Sequence, residues 1–158
     1  MIKIPKKTSR KVLEFETIAR DARLMSKILT SYISPAGKGP QMHYALHHSQ
    51  YKTDPYNFFV VNPTLFGGKP GDVMAVVNPK IVDRDRSSKL RCREACMSFP
   101  FRPGKDVMRY STITVSYQVP AEDGKSMKHK EEVVTGLMAQ IFQHELEHAR
   151  GSHIFATK

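Results

Sequence analysis

Between Thr17 and Tyr32 the residues Ile18, Ala22, Met25, Leu29 and Tyr32 recur every three or four positions, while Arg20, Asp21, Arg23 and Lys27 lie elsewhere around the axis. That period predicts an amphipathic helix with its apolar stripe on a core, ended by Ser34-Pro35-Ala36-Gly37. The middle of the chain changes rhythm. Phe58-Phe59-Val60-Val61 and Val73-Met74-Ala75-Val76-Val77 are short, β-branched and aromatic, and each runs into Asn-Pro, which predicts strands. Gly67-Gly68-Lys69-Pro70-Gly71 between them is a turn; it lacks P-loop spacing, and a strand follows it where a helix would have to open. Thr112 to Gln118 alternates as a half-buried strand does, and Ala121 to Lys125 turns into a further strand near Lys130 to Val134. From Thr135 to about Arg150 the pattern is helical again, with Leu137, Met138, Ile141 and Phe142 on a large apolar face that continues into His144 and His148. Thr135 is placed to cap that helix. A helix, several strands and a late helix describe an α+β domain.

The sequence has 158 residues, enough for one domain with one core, so 1–158 reads as a single unit. No apolar run approaches the roughly 20 residues of a membrane-spanning helix. The basic start, Met1 to Lys11, lacks the apolar stretch of a secretion signal, so a cytoplasmic protein without membrane attachment is expected. Cys92 and Cys96 sit four apart in a chain with no export signal, which favours reduced thiols over a bridge. Cys92 is read as a small buried apolar residue. The net charge of +10 favours contact with nucleic acid or another anionic surface without naming it. The basic residues are dispersed, in small clusters at Lys6, Lys7, Arg10 and Lys11 and at Lys89, Arg91 and Arg93, and neither an arginine-rich arm nor an aromatic RNA-binding motif occurs.

The strongest local signal is His144-Glu145-Leu146-Glu147-His148, an HExxH. On a helix, positions i and i+4 share a face, so both imidazoles can reach one metal ion. The glutamate beside the first histidine then addresses a water on that ion. A hydrolytic site needs a third protein ligand and an open position. The pattern HExxHxxGxxH fails: Gly151 is in register, but the next histidine, His153, comes one residue early, with Ile154 in the required place. A glutamate about twenty residues downstream is also missing, since only ten residues follow His148 and none is acidic. Upstream, Cys96 in Glu94-Ala95-Cys96-Met97-Ser98-Phe99-Pro100 offers a thiolate, a soft charged donor that balances two neutral imidazoles.

Glu94 to Pro100 together with His144 to Gly151 resembles the peptide deformylase family, whose pattern is Glu-Gly-Cys-Leu-Ser-x-Pro and then HExDHxxG about fifty residues on. Here alanine replaces the glycine, methionine the leucine, and Glu147 the aspartate. The family's Gly-x-Gly-Leu-Ala-Ala-x-Gln falls on His43 to Gln50, which keeps only Leu46 and Gln50. Asn78-Pro79 also matches, and Val107-Met108-Arg109 does so with a one-residue insertion, so the likeness runs from about residue 16 to residue 151.

The resemblance implies a deformylase-like α+β fold with mixed or antiparallel strands around the HExxH helix. It implies one divalent metal on Cys96, His144 and His148, ferrous iron first, with zinc, nickel or cobalt able to take the place. It implies removal of the formyl group from the N-terminal formylmethionine of new polypeptides, with release of formate. Glu145 then moves the proton, and the Gln50 amide and the Met97 backbone N–H stabilise the oxyanion. Tyr44, Ala45, Leu46, Met97 and Ile141, with His144, border the methionine pocket. Glu94 and Arg109 form a supporting pair behind the metal ligands, the alternative being an ordinary surface ion pair. His47 and His48 replace two family alanines and are read as structural, although either could crowd the site. Ala45 and Ala95 each remove a glycine's freedom beside it. The partners implied are nascent formylmethionyl peptides and the ribosome, the latter reached through the basic surface and ribosomal RNA, with the protein a monomer. The short tail and divergent first motif resemble compact versions encoded by bacteriophages. Two rival readings stay open: a metallopeptidase with a third ligand other than Cys96, and a catalytically silent basic RNA-binding protein on the same fold.

Overall fold

A computed structural model describes residues 2–31 and 43–156. After a 3-10 turn at Phe15–Thr17, helix α1 spans Ala19–Ser31. Ile18, Ala22, Met25 and Leu29 are all at most 2% exposed, so the stripe packs as its period requires. Tyr32 and the predicted stop at Ser34–Gly37 lie outside the described residues.

Strands β1 (Ala45–His47), β2 (Phe58–Val61), β3 (Met74–Arg84), β6 (Thr112–Pro120) and β7 (Met127–Thr135) form one antiparallel sheet in the order β1-β2-β3-β6-β7. Strands β4 (Lys89–Glu94) and β5 (Lys105–Tyr110) pair separately as a ribbon, and helix α2 spans Gly136–Ala149. Side chains alternate across a strand, and β2 shows what this does. Phe58 and Val60 join a core cluster with α1 residues Ala22, Met25 and Leu29. Phe59 and Val61 join the opposite cluster with Ala139, Ile141 and Phe142 of α2, where the Phe59 and Phe142 rings meet edge to face at 5.4 Å. A helix covers each face of the sheet at this point, which is why four successive residues are apolar. The α+β class expected from the sequence, with antiparallel strands beside the HExxH helix, is what the chain adopts.

Three local expectations need correction. The Asn78-Pro79 pair lies inside β3, because the register shifts between Val77 and Lys80 and this irregularity absorbs the proline. Asn78 sits there at φ +50°, and its side chain accepts from the Val12 N–H at 2.8 Å and donates to the Val12 carbonyl at 2.7 Å. Thr135 precedes α2 but makes no capping bond through its side chain. Leu137 is 39% exposed and faces a cleft instead of the core.

The N-terminal segment lies across the end of α2. The Ser9 N–H and hydroxyl both donate to the Ala149 carbonyl, at 2.8 and 3.0 Å. Gly151, at φ +74°, makes this crossing possible: a Cβ there would stand 2.8 Å from backbone atoms of Lys6 and Lys7. Among the described residues no helix is long and apolar enough to cross a membrane.

Candidate metal centre

α2 presents His144 and His148 one turn apart, their ring centroids 4.8 Å from each other. Cys96 arrives from the segment after β4, and the donor atoms of Cys96, His144 and His148 all lie within 4.8 Å of one another. The sulfur is 3.4 Å from His148 Nε2. The other nitrogen of each ring is engaged: His144 Nδ1 lies 2.8 Å from Glu94 Oε1, and His148 Nδ1 lies 2.9 Å from the Ser152 carbonyl. Carboxylate and carbonyl oxygens only accept, so both Nδ1 atoms carry a hydrogen, and in the neutral ring that a metal binds each Nε2 offers its lone pair. One sulfur and two such nitrogens form a donor set that could hold one divalent metal ion.

The surrounding charges favour a cation here. Burial opposes charge on His144, yet its hydrogen bonds to Cys96 and Glu94 outweigh burial and raise its pKa well above the usual imidazole range. His148 is held well below that range by burial, with the neighbouring His144 charge adding to the effect. Burial also opposes ionisation of Glu94, but Arg109 and His144 overcome it and bring the carboxyl down to about 2. Arg109 binds both Glu94 oxygens, Nε to Oε2 at 2.9 Å and Nη2 to Oε1 at 2.8 Å, and reaches Glu147 at 2.6 Å. With side chains 9% and 4% exposed, Arg109 and Glu94 are a buried pair, not a surface one.

Glu145 is 3% exposed, and its Oε2 has no hydrogen-bond partner among the described residues. Burial, more than any nearby charge, pushes its pKa up to about 7. A carboxyl poised there can accept a proton and give it back near neutrality. Gln50 closes the 3-10 turn His48–Gln50. Its Oε1 accepts the His47 N–H at 2.9 Å, which leaves Nε2 3.0 Å from Ser98 Oγ and 3.7 Å from the Cys96 sulfur.

These groups open into a cleft of about 760 Å³ lined by Tyr44, Ala45, Gln50, Glu94, Cys96, Met97, Ile141, His144 and Glu145. Leu46 is the exception among the expected pocket residues. Strand alternation turns its side chain away from Ala45, and it is fully buried in the α1 cluster. Several lining residues were not foreseen. Leu137 lies four positions before Ile141, so helical spacing alone would have placed it there. Arg93 and the Phe99–Gly104 wall carry no such signal.

The two unusual histidines both sit inside the structure. His48 Nδ1 accepts the Tyr56 N–H at 2.9 Å, so its Nε2 carries the hydrogen that meets Asp21 Oδ2 at 2.8 Å and ties this turn to α1. His47 is fully buried, and burial takes its pKa down to about 3, so it is neutral. Its Nδ1 accepts the Ser49 N–H at 3.1 Å, while the Ser49 hydroxyl donates to the His148 carbonyl at 3.2 Å. Neither ring belongs to the donor cluster.

Fold and donor set together define an HExxH metal-site protein whose third donor is a cysteine from a separate segment. The polypeptide deformylase family profile matches residues 41–157, and the chain belongs to that family. It is 35% identical to a peptide deformylase of Thermotoga petrophila over 78 residues, 49% of this chain and 43% of the relative. It is 29% identical to peptide deformylase 2 of Shewanella oneidensis over 139 residues, 82% of this chain and 66% of the relative. In both cases the chain spans less than two thirds of the relative's length. The crystal structure of the Thermotoga maritima peptide deformylase superposes with a TM-score of 0.72 at 26% identity, covering 98% of this chain and 95% of that one.

Proposed function

We propose that the protein hydrolyses the formyl group from the N-terminal formylmethionine of new polypeptides, releasing formate and a free amine. One observation carries this reading: the unpartnered carboxylate oxygen of Glu145 stands in a cleft beside convergent Cys96, His144 and His148 donors. Cys96, His144 and His148 would hold a divalent ion, ferrous iron or in its place zinc, nickel or cobalt, which would supply Lewis acidity and lower the pKa of water in the site. Glu145 takes the proton of the attacking water and returns it to the leaving nitrogen. The Gln50 side-chain amide and the Met97 backbone N–H donate to the formyl oxygen as it gains charge, each contributing on the order of 3 kcal/mol. Glu94 fixes the ring of His144, and Arg109 fixes Glu94.

Substrate placement follows from the cleft walls. The edge of β1 that does not pair with β2 borders the cleft at Tyr44 and Ala45, so an extended peptide can add alongside it. Met97 and Ile141 supply the apolar surface for the methionine side chain. Such substrates exist on emerging chains in the cytoplasm. We place the protein, as a monomer, at the ribosome through attraction between its +10 charge and ribosomal RNA; that association weakens steeply as salt rises.

Formate release from formyl-Met-Ala-Ser by anaerobic, iron-loaded protein tests the reading, with Glu145→Gln as control. Turnover no faster than the control overturns it and leaves a non-catalytic binder. Metal content of Cys96→Ala separates it from a metallopeptidase, which would keep its ion.

A further inference from the structure

The deformylase reading accounts for the floor of the cleft but not for its charged rim. Two carboxylates line the cleft, and both are committed: Glu94 to Arg109 and His144, and Glu145 to the metal centre. The other full charges on its walls are Arg93 and Arg102. Arg93 makes a 3.3 Å contact with Asp106, both side chains being more than half exposed, and such a pair neutralises little. Arg102 differs. Its guanidinium carbon lies 3.8 Å from the centroid of Phe155 and 5.7 Å from that of Phe99, and among the described residues it has no carboxylate partner. Phe99 and Phe155 pack on each other at 5.0 Å, so the platform under the arginine is itself fixed. A stacked guanidinium is pre-organised for a planar carboxylate and loses little freedom on binding one.

We propose that Arg102, assisted by Arg93, makes this cleft select peptides that carry a carboxylate in the residues following the methionine. The methionine side chain enters the apolar floor and the chain leaves over the rim, where a carboxylate finds a held cation and a lysine meets repulsion. The inference rests on the deformylase reading, so binding is measured beside turnover.

The probes are formyl-Met-Glu-Ser, formyl-Met-Ala-Glu and their lysine counterparts. Turnover is read as kcat/KM with iron-loaded protein, and binding as Kd with metal-loaded Glu145→Gln protein. At low ionic strength the glutamate peptides are favoured roughly 5–20-fold over lysine, and the ratio shrinks as salt screens it. Arg102→Gln collapses that ratio, and Arg102→Glu reverses it, whatever either does to the rate on formyl-Met-Ala-Ser. A rim that only solubilises the protein gives no such reversal. Turnover with equal kcat/KM for both charges sinks the inference and leaves the deformylase reading intact. Charge-selective binding without formate release does the opposite. Peptides that neither bind nor turn over sink both.

Discussion

Arg109→Met offers the sharpest test of how the candidate metal donors are held. Wild-type Arg109 is 7% exposed, and its guanidinium is shared between both oxygens of Glu94 and one of Glu147. Methionine keeps much of the length and apolar contact but removes the charge and every donor. Glu94 then stays buried, at 6% exposure, with His144 as its remaining side-chain partner. Removing one side of a buried ion pair costs about 3–5 kcal/mol, because the other charge is left without compensation. Glu147, with its side chain 18% exposed, can turn toward water and adds little. Against a total stability of about 5–15 kcal/mol the variant still folds. A urea slope of about 2 kcal/mol per molar turns the loss into a midpoint roughly 2 M lower. Circular dichroism during urea unfolding at pH 7 reads that shift. The double variant Glu94→Gln/Arg109→Met should recover part of the loss, since no charge is stranded. Metal affinity should fall about 10–100-fold in the single variant, because the carboxylate that orients His144 is no longer fixed. A loss under about 1 kcal/mol, or a double variant no more stable than the single, would refute the argument.

Three further outcomes follow from other contacts. Gly151→Ala should cost roughly 2–4 kcal/mol and loosen residues 2–11 in hydrogen exchange, since its Cβ would collide with the Lys6–Lys7 backbone at a positive φ. His48→Ala should destabilise by about 2–4 kcal/mol in thermal unfolding, because the Tyr56 amide and Asp21 lose their partner. Its metal content by elemental analysis should stay at the wild-type level, and a fall would mark His48 as a ligand. Tyr117, buried and donating to Glu132 at 2.6 Å, has its pKa raised by burial and by that carboxylate. The unfolded chain therefore releases this proton near pH 10 while the folded chain keeps it, so stability falls as pH rises past 10. Chemical unfolding at pH 9 and 11 should show a larger alkaline loss for the wild type than for Tyr117→Phe.

The sequence made some of this legible and hid the rest for physical reasons. His144 and His148 could be paired because a helix imposes its own spacing, and the apolar run before them fixed which way they face. Cys96 is 52 residues from His148, and no periodicity connects them; donor chemistry and the likeness to a family do. The ribbon β4–β5 is weakly marked in the sequence because its strands are short and largely exposed. Leu90 and Cys92 alternate with basic residues in β4, but two apolar positions are too few to signal a strand, and in β5 Val107 and Met108 are adjacent. Asn78-Pro79 looked like an end, whereas a shift of register let the strand pass through it. Leu46 kept its family identity but contributes its side chain to the core, because one position along a strand exchanges faces. Arg102 depends on Phe155, 53 residues away, for its place, and nothing local announces that stack.

The contact between Ser9 and Ala149 joins positions 140 residues apart, and pairings of such span form late in folding. While the polypeptide is still being synthesised, its first ten residues have no α2 to rest on. Both histidine donors lie in that same helix, so a half-made copy has neither its native N-terminal packing nor the full set of candidate donors. A copy cut short before His144 therefore lacks both histidine donors and the N-terminal clasp together.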